Sequence, residues 1–399
     1  MQKLACAVLS VLLLMQGCTD PDSDKPMAPE VAGLPDPDSV AVPDDIATHL
    51  SGVAFAQLSK AIEAAQAMQS SIGALSRQPD SALLEEARVH WRSAYSAYLG
   101  SLAAVNIPVR EPAEWFSAAL TRRHLEQKIN SWPIEPGYID YLEGYPTTGI
   151  VNDTTLTIDH DNLISQHQFS DRSYVSLGFH ALEFLLWGER GHRQVSDFDT
   201  NIESSANSES EPPNPSAVRH QTRRLAYLTT ASDILISDLQ RLQMRWAPAT
   251  DNQAAGHYAQ LLSEVAPAET LQASLLTVAR LIEQDLLQHY LQDEGSSPFS
   301  ATTPDDLAAA LRGIRQTLLS EDGLTALQPV LTARKDEADL ALLATLISLT
   351  GKDTACSVGW STTPVYAEGQ GACREQMLEL LITLKKISDQ LGLQVPVSS

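Results

Sequence analysis

"SLGFHALEFLLWGE", Ser176 to Glu189, is almost wholly apolar yet carries His180 and Glu183 three residues apart. Residues at i and i+3 share one face of a helix. Ser176, His180, Glu183 and Trp187 make one stripe, and Val175, Phe179, Leu182 and Leu186 make the apolar face beside it. The segment therefore reads as a helix built for burial, with polar groups at the edge of a core. A buried carboxylate demands a partner. Two readings stay open from the spacing. The pair is a satisfied hydrogen bond in a core, or it is a site, since an imidazole nitrogen and a carboxylate oxygen so placed can hold a divalent or ferric ion. Gly178 costs about 1 kcal/mol of helix stability relative to alanine, and a glycine there suits close approach of a second backbone or a ligand.

Outward from this helix the chain keeps a helical period. Apolar residues recur at three- and four-residue spacing from Ile46, and Asp80 stands where it can cap a second helix that ends before Pro108. A third helix is expected from about Pro112 to Asn130, an irregular stretch over 131–169, and the fourth helix from about Asp171 to Gly188. "DHDNLISQH", Asp159 to His167, reads as a solvated loop. Leu225, Leu228, Leu235, Leu239, Leu242 and Trp246 mark the apolar face of a long later helix. Others are expected near 267–292, 304–319, 326–350 and 369–391. No strand signal of any length competes. The fold class expected is all-α, as two adjacent antiparallel helical bundles over 46–202 and 217–394. The Ser/Glu/Pro-rich 203–216 reads as a linker or insertion.

The N-terminus reads as processing signal. Lys3 precedes an apolar run from Leu4 to Met15, too short to span a bilayer as a mature helix. Gly17-Cys18 resembles a lipobox, which makes 1–17 a lipoprotein signal peptide and Cys18 the lipidated residue; an ordinary secretory signal is the alternative. The Pro/Asp-rich 18–45 reads as a disordered tether. Thr19, where an aspartate would resemble an inner-membrane retention signal, points to the periplasmic face of the outer membrane. In that oxidising compartment Cys356 and Cys373 are expected to form a disulfide, worth roughly 3 kcal/mol for a loop of this size. The formal net charge of −23 repels nucleic acid and anionic lipid headgroups, leaving the lipid anchor as the contact with membrane.

"GFHALEFLLWG" also matches a G-x-H-x-x-E signature, and with it the chain resembles the imelysin-like family, peptidase family M75. "INSWPIEPGYIDYL", "RRLAYLTTASDILISDLQRLQMRW" and "SSPFSATTPDDLAAALRGI" are similar to further segments of that family, in the same order, over about 47–390. The resemblance implies two helical bundles, a cell-envelope location and association with iron uptake. It carries metal-ligand roles to His180 and Glu183 and the signature glycine to Gly178. It brings Trp132, Pro133 and Asp140 toward the same site, and it includes Arg223 and Arg224, one of which is expected to pair with Glu183 or an anionic ligand. Trp187 is a candidate ligand-stacking surface or core residue. One departure stands out: Tyr95 and Leu102 fall about where family members carry an Arg and a Ser-Glu pair, so one acidic group is missing.

Three functions are expected to compete. The first is a lipid-anchored binding protein that captures iron, another divalent metal, or a ligand bearing one, working with envelope uptake-system proteins. The second is a metallopeptidase using His180 and Glu183, although no H-E-x-x-H occurs and the inverted H-x-x-E-H would need a histidine at Phe184. The third is an envelope scaffold in which the pair is structural.

Overall fold

Asp80 shows how local chemistry sets the helix ends. Its carboxylate accepts from the Ala82 N–H at 2.7 Å, so α2 (Ser81–Leu99) begins where the side chain satisfies an orphan donor. The computed structural model describes residues 41–109, 121–200, 215–291, 295–319, 327–352, 354–356 and 365–395. The signal peptide with Cys18, most of the tether and nearly all of the expected linker lie outside the described residues.

Two long helices organise the rest. α1 (Ile46–Arg77) buries Leu50, Ala54, Leu58, Ala61, Met68 and Ile72 at helical spacing. It packs along α2 and along α8 (Pro215–Arg245). Between them come α3 (Leu102–Val105), α4 (Arg122–Ile129), α5 (Pro136–Ile139), α6 (His160–Gln166) and α7 (Gly178–Trp187). After α8 follow α9 (His257–Ser263), α10 (Pro267–Arg280), α11 (Thr303–Leu318), α12 (Leu327–Arg334), α13 (Glu337–Leu349) and α14 (Val365–Gln390). Among the described residues no strand forms. Helices from both sides of the expected linker pack together, α11 on α2 and α10 on α1, and residues 35–399 make one compact unit. No described helix is long and apolar enough to cross a membrane.

The expected boundaries shift in five places. The second helix ends at Leu99 rather than before Pro108, and Leu102–Val105 forms the separate short α3. The fourth helix begins at Gly178 rather than near Asp171, because Gly178 has φ +84°, which ends helical geometry on its N-terminal side. A Cβ there would collide with the carbonyl oxygens of Lys128 and Ile129. Gly178 therefore lets the end of α4 press against the start of α7. Ser176 consequently leaves the polar stripe; it stands before the helix and donates to the Leu163 carbonyl at 2.7 Å. The 131–169 stretch is not wholly irregular, since it contains α5 and α6. The expected 326–350 helix divides at Lys335, which has φ +55°. Beyond Arg280, α10 continues as a π-helix from Leu281 to Tyr290. Cys356 and Cys373 are joined as a disulfide, and both are buried.

Candidate functional site

His180 and Glu183 are fully enclosed, 1% and 0% exposed. His180 Nδ1 lies 3.0 Å from Glu183 Oε2. The other carboxylate oxygen, Oε1, accepts from the Ser300 backbone N–H at 2.9 Å and from the Ser300 hydroxyl at 2.7 Å. An ionised carboxylate only accepts, so Nδ1 carries the proton. In the tautomer with the proton on Nδ1, Nε2 is an acceptor, and the Tyr95 hydroxyl, 3.2 Å away, donates to it. Tyr95 in turn lies 3.5 Å from the Tyr290 hydroxyl. Burial raises the Tyr95 phenol well above its ordinary value, which keeps it a donor.

Tyr95, expected about where family members carry a different residue, stands here opposite Nε2 of His180. Leu102 lines the adjoining cavity. Ser300, the second anchor of Glu183, lay in the quoted "SSPFSATTPDD" but carried no assigned role. The same stretch supplies Asp306, whose Oδ2 accepts from Ser297 at 2.6 Å and Ser296 at 3.1 Å. Burial, with the charge of Glu183 nearby, pushes the Asp306 carboxyl up to about 8 against those two bonds.

Beside His180 opens a cavity of about 420 Å³. Trp132 walls it, with its ring 4.9 Å from the imidazole. Arg123, Glu126 and Asn130 line it from α4 and its C-cap, and Arg172 from the loop between α6 and α7. Asp285, His289 and Tyr290 enter from the π-helix. Asp285 and His289, four apart, would share a face in any helix; the π-helical register also brings Tyr290, five residues after Asp285, onto that face, from which an ordinary α-helix would turn it away. No hydrophobic periodicity could have disclosed that register. Glu126 is answered by Arg122 at 3.5 Å. Burial raises the Asp285 carboxyl, and His289 only partly offsets this.

The remaining candidates sit elsewhere. Asp140 does not line the cavity. It is fully buried and takes Arg224 at 2.5 and 3.1 Å and Arg193 at 2.9 Å. Burial works to raise its carboxyl, but the two guanidiniums hold it below the ordinary carboxylate range. Arg223 reaches neither Glu183 nor the cavity; it donates to the carbonyls of Ile150, Val151 and Asp153 at 2.6–2.8 Å, fastening that loop to α8. Trp187 packs edge-on against Trp91 at 5.2 Å, under the guanidiniums of Arg88 and Arg92. The "DHDNLISQH" stretch forms α6, and His167 at its end is bonded on both ring nitrogens.

A metal ion fits this arrangement poorly. To ligate one through Nε2, His180 would surrender Tyr95, and Glu183, with no exposed surface, has a single Oε2 lone pair not taken by Ser300 or His180. Nor do the described residues place three or more His, Cys, Asp or Glu side chains together in a metal-holding group. A peptidase base meets a related obstacle, because Glu183 is 0% exposed and both its oxygens already accept from protein donors, two on Oε1 and one on Oε2.

An all-helical chain with a buried G-x-H-x-x-E helix beside a polar cavity defines the class. The family model described as Imelysin (Peptidase M75) matches residues 54–350, and the chain belongs to that family. A crystal structure of a Parabacteroides distasonis protein assigned as an iron-regulated protein A precursor is similar, with a TM-score of 0.59 at 13% identity, covering 90% of this chain and 97% of that one. No curated protein matches this sequence.

Proposed function

We propose that the protein is a cell-envelope binding protein that captures iron, or another metal, in the form of an anionic chelate. The observation that carries this is the division of labour between pair and cavity. His180 and Glu183 spend their polar atoms on Tyr95, Ser300 and each other, while the adjoining cavity presents Arg123, Arg172 and His289. Of the two carboxylates there, Glu126 is paired with Arg122 and Asp285 is raised by burial. Such a wall favours an oxygen-rich anion over a bare cation. The link to iron rests on the family and on the description of the similar Parabacteroides protein. Anchoring through Cys18 to the periplasmic face of the outer membrane, with uptake-system proteins as partners, completes the proposal and rests on the N-terminal sequence. The test is calorimetric titration of the purified protein with ferric citrate, citrate, Fe²⁺ and Zn²⁺, repeated with Arg123→Ala and Arg172→Ala. Chelate binding weakened about tenfold or more by either change supports the reading. Saturable binding of the bare ions but not of the chelate would overturn it.

A further inference from the structure

The cavity beside His180 carries groups that an anion alone does not call for. Asn106 and Gln127 line it, and neither side-chain amide is bonded to a described residue. Trp132, half-buried, forms a wall, and its indole N–H likewise finds no acceptor among the described residues. Asp285 is half-buried as well, and no described residue donates to its carboxylate.

Gln168 is fixed in the same wall. It has φ +56°, a conformation uncommon outside glycine. Its Nε2 donates to the Ser131 hydroxyl at 3.2 Å and to the Arg172 carbonyl at 3.1 Å. These bonds tie the loop bearing Arg172 to the end of α4, and they leave Oε1 of Gln168 without a donor among the described residues.

A carboxylate only accepts hydrogen bonds, whereas a hydroxyl both donates and accepts, as an amide does. To a chelator made of carboxylates alone, Asp285 and Glu126 would stand as like charges. Hydroxyls turn the same two side chains into acceptors and exchange bonds with Asn106, Gln127 and Gln168. An indole wall covers the C–H side of a carbon chain and offers its N–H to a further oxygen. A single carboxylate then suffices for Arg123 or Arg172. Resting on the chelate reading above, we propose that the chelator this cavity selects is a polyhydroxylated acid, a short carbon chain bearing several hydroxyls and one carboxylate, in preference to a polycarboxylate. A cavity of about 420 Å³ lies in the range of small-molecule sites.

Calorimetric titration of the purified protein with ferric gluconate and ferric citrate, and with sodium gluconate and sodium citrate free of metal, tests the preference. The variants are Gln127→Ala, at an exposed position, and the double variant Asn106→Ala with Gln127→Ala, each fold checked by circular dichroism. Ferric gluconate is expected to bind at least about tenfold more tightly than ferric citrate, since a site that pairs hydroxyls penalises a ligand lacking them. Folded variants should lose most of that preference while keeping affinity for ferric citrate. Citrate chelate bound as tightly as gluconate chelate, or a preference unchanged in the folded double variant, would overturn this inference and leave the chelate reading standing. Saturable binding of metal-free gluconate without binding of either chelate would overturn the chelate reading and support the hydroxyl preference. No saturable binding of any of the four would overturn both.

Discussion

Tyr95 donates its hydroxyl to Nε2 of His180 at 3.2 Å, on the side of the ring opposite Glu183. That one contact decides how the signature pair works in this chain. A phenol occupies the ring nitrogen that a metal ion would take, and its hydrogen bond closes a chain running from Ser300 through Glu183 and His180 to Tyr290.

Removing this hydroxyl tests the chain's worth. Tyr95→Phe leaves Nε2 buried without a donor, which costs about 1–3 kcal/mol. Urea unfolding should show that loss with an unchanged m-value. The freed nitrogen should also raise affinity for Zn²⁺ over the parent, read by titration.

Glu183→Gln should be harsher. The amide keeps one acceptor but turns an NH₂ toward either Ser300 or the Nδ1 proton of His180. Loss of charge-assisted bonds to a buried carboxylate predicts about 2–4 kcal/mol of destabilisation. Ser300→Ala removes only the hydroxyl and should cost about 1 kcal/mol, since the backbone N–H still donates.

Asp140 makes the strongest claim on stability. Asp140→Asn leaves Arg193 and Arg224 buried without their anion, a change worth about 3–5 kcal/mol. Because the folded carboxyl lies below its ordinary value of 3.8, its stabilisation is present above pH 3.8 and is lost as pH falls through the lower folded value. Acid unfolding of the parent should therefore steepen below pH 4, and the variant should lack that component.

His167 predicts a second acid-sensitive range. Burial lowers its folded value to about 4 from 6.5, against a raising bond to the Gln127 carbonyl. Its Nδ1 accepts from the Ser176 N–H at 3.4 Å and Nε2 lies 3.2 Å from that carbonyl, an arrangement that requires the neutral ring. A lowered value means stability present above pH 6.5 and lost progressively toward pH 4. Denaturant midpoints of the parent should fall across that range, and those of His167→Gln should fall less.

Much of this was legible in the sequence because burial leaves a periodic trace. The apolar spacing located α1 and α8, Asp80 gave the start of α2, and the apolar setting of His180 and Glu183 gave the enclosed pair; the break after Leu99 that separates α2 from α3 left no such trace. What stayed hidden depends on contacts across the chain. The family resemblance brings Asp140 toward the site with Trp132, yet the chain turns after α5 and delivers it to Arg193 and Arg224. Ser300, Asp285 and His289 lack any local pattern; the π-helix brings Asp285 and His289 to the cavity, and the segment before α11 brings Ser300 to Glu183. Gly178 was read for close approach, but the positive φ that shortens α7 leaves no mark in composition.

We propose that the cavity beside His180, and not the His180/Glu183 pair itself, receives the metal, already chelated. Side-by-side titration of ferric citrate and Fe²⁺ into the parent, Glu183→Gln and Arg172→Ala tests it most directly, with each fold checked by circular dichroism. The account predicts chelate binding by the parent that Arg172→Ala weakens about tenfold, and Fe²⁺ binding no tighter in the parent than in Glu183→Gln. Stoichiometric Fe²⁺ binding by the parent that disappears in folded Glu183→Gln would contradict it.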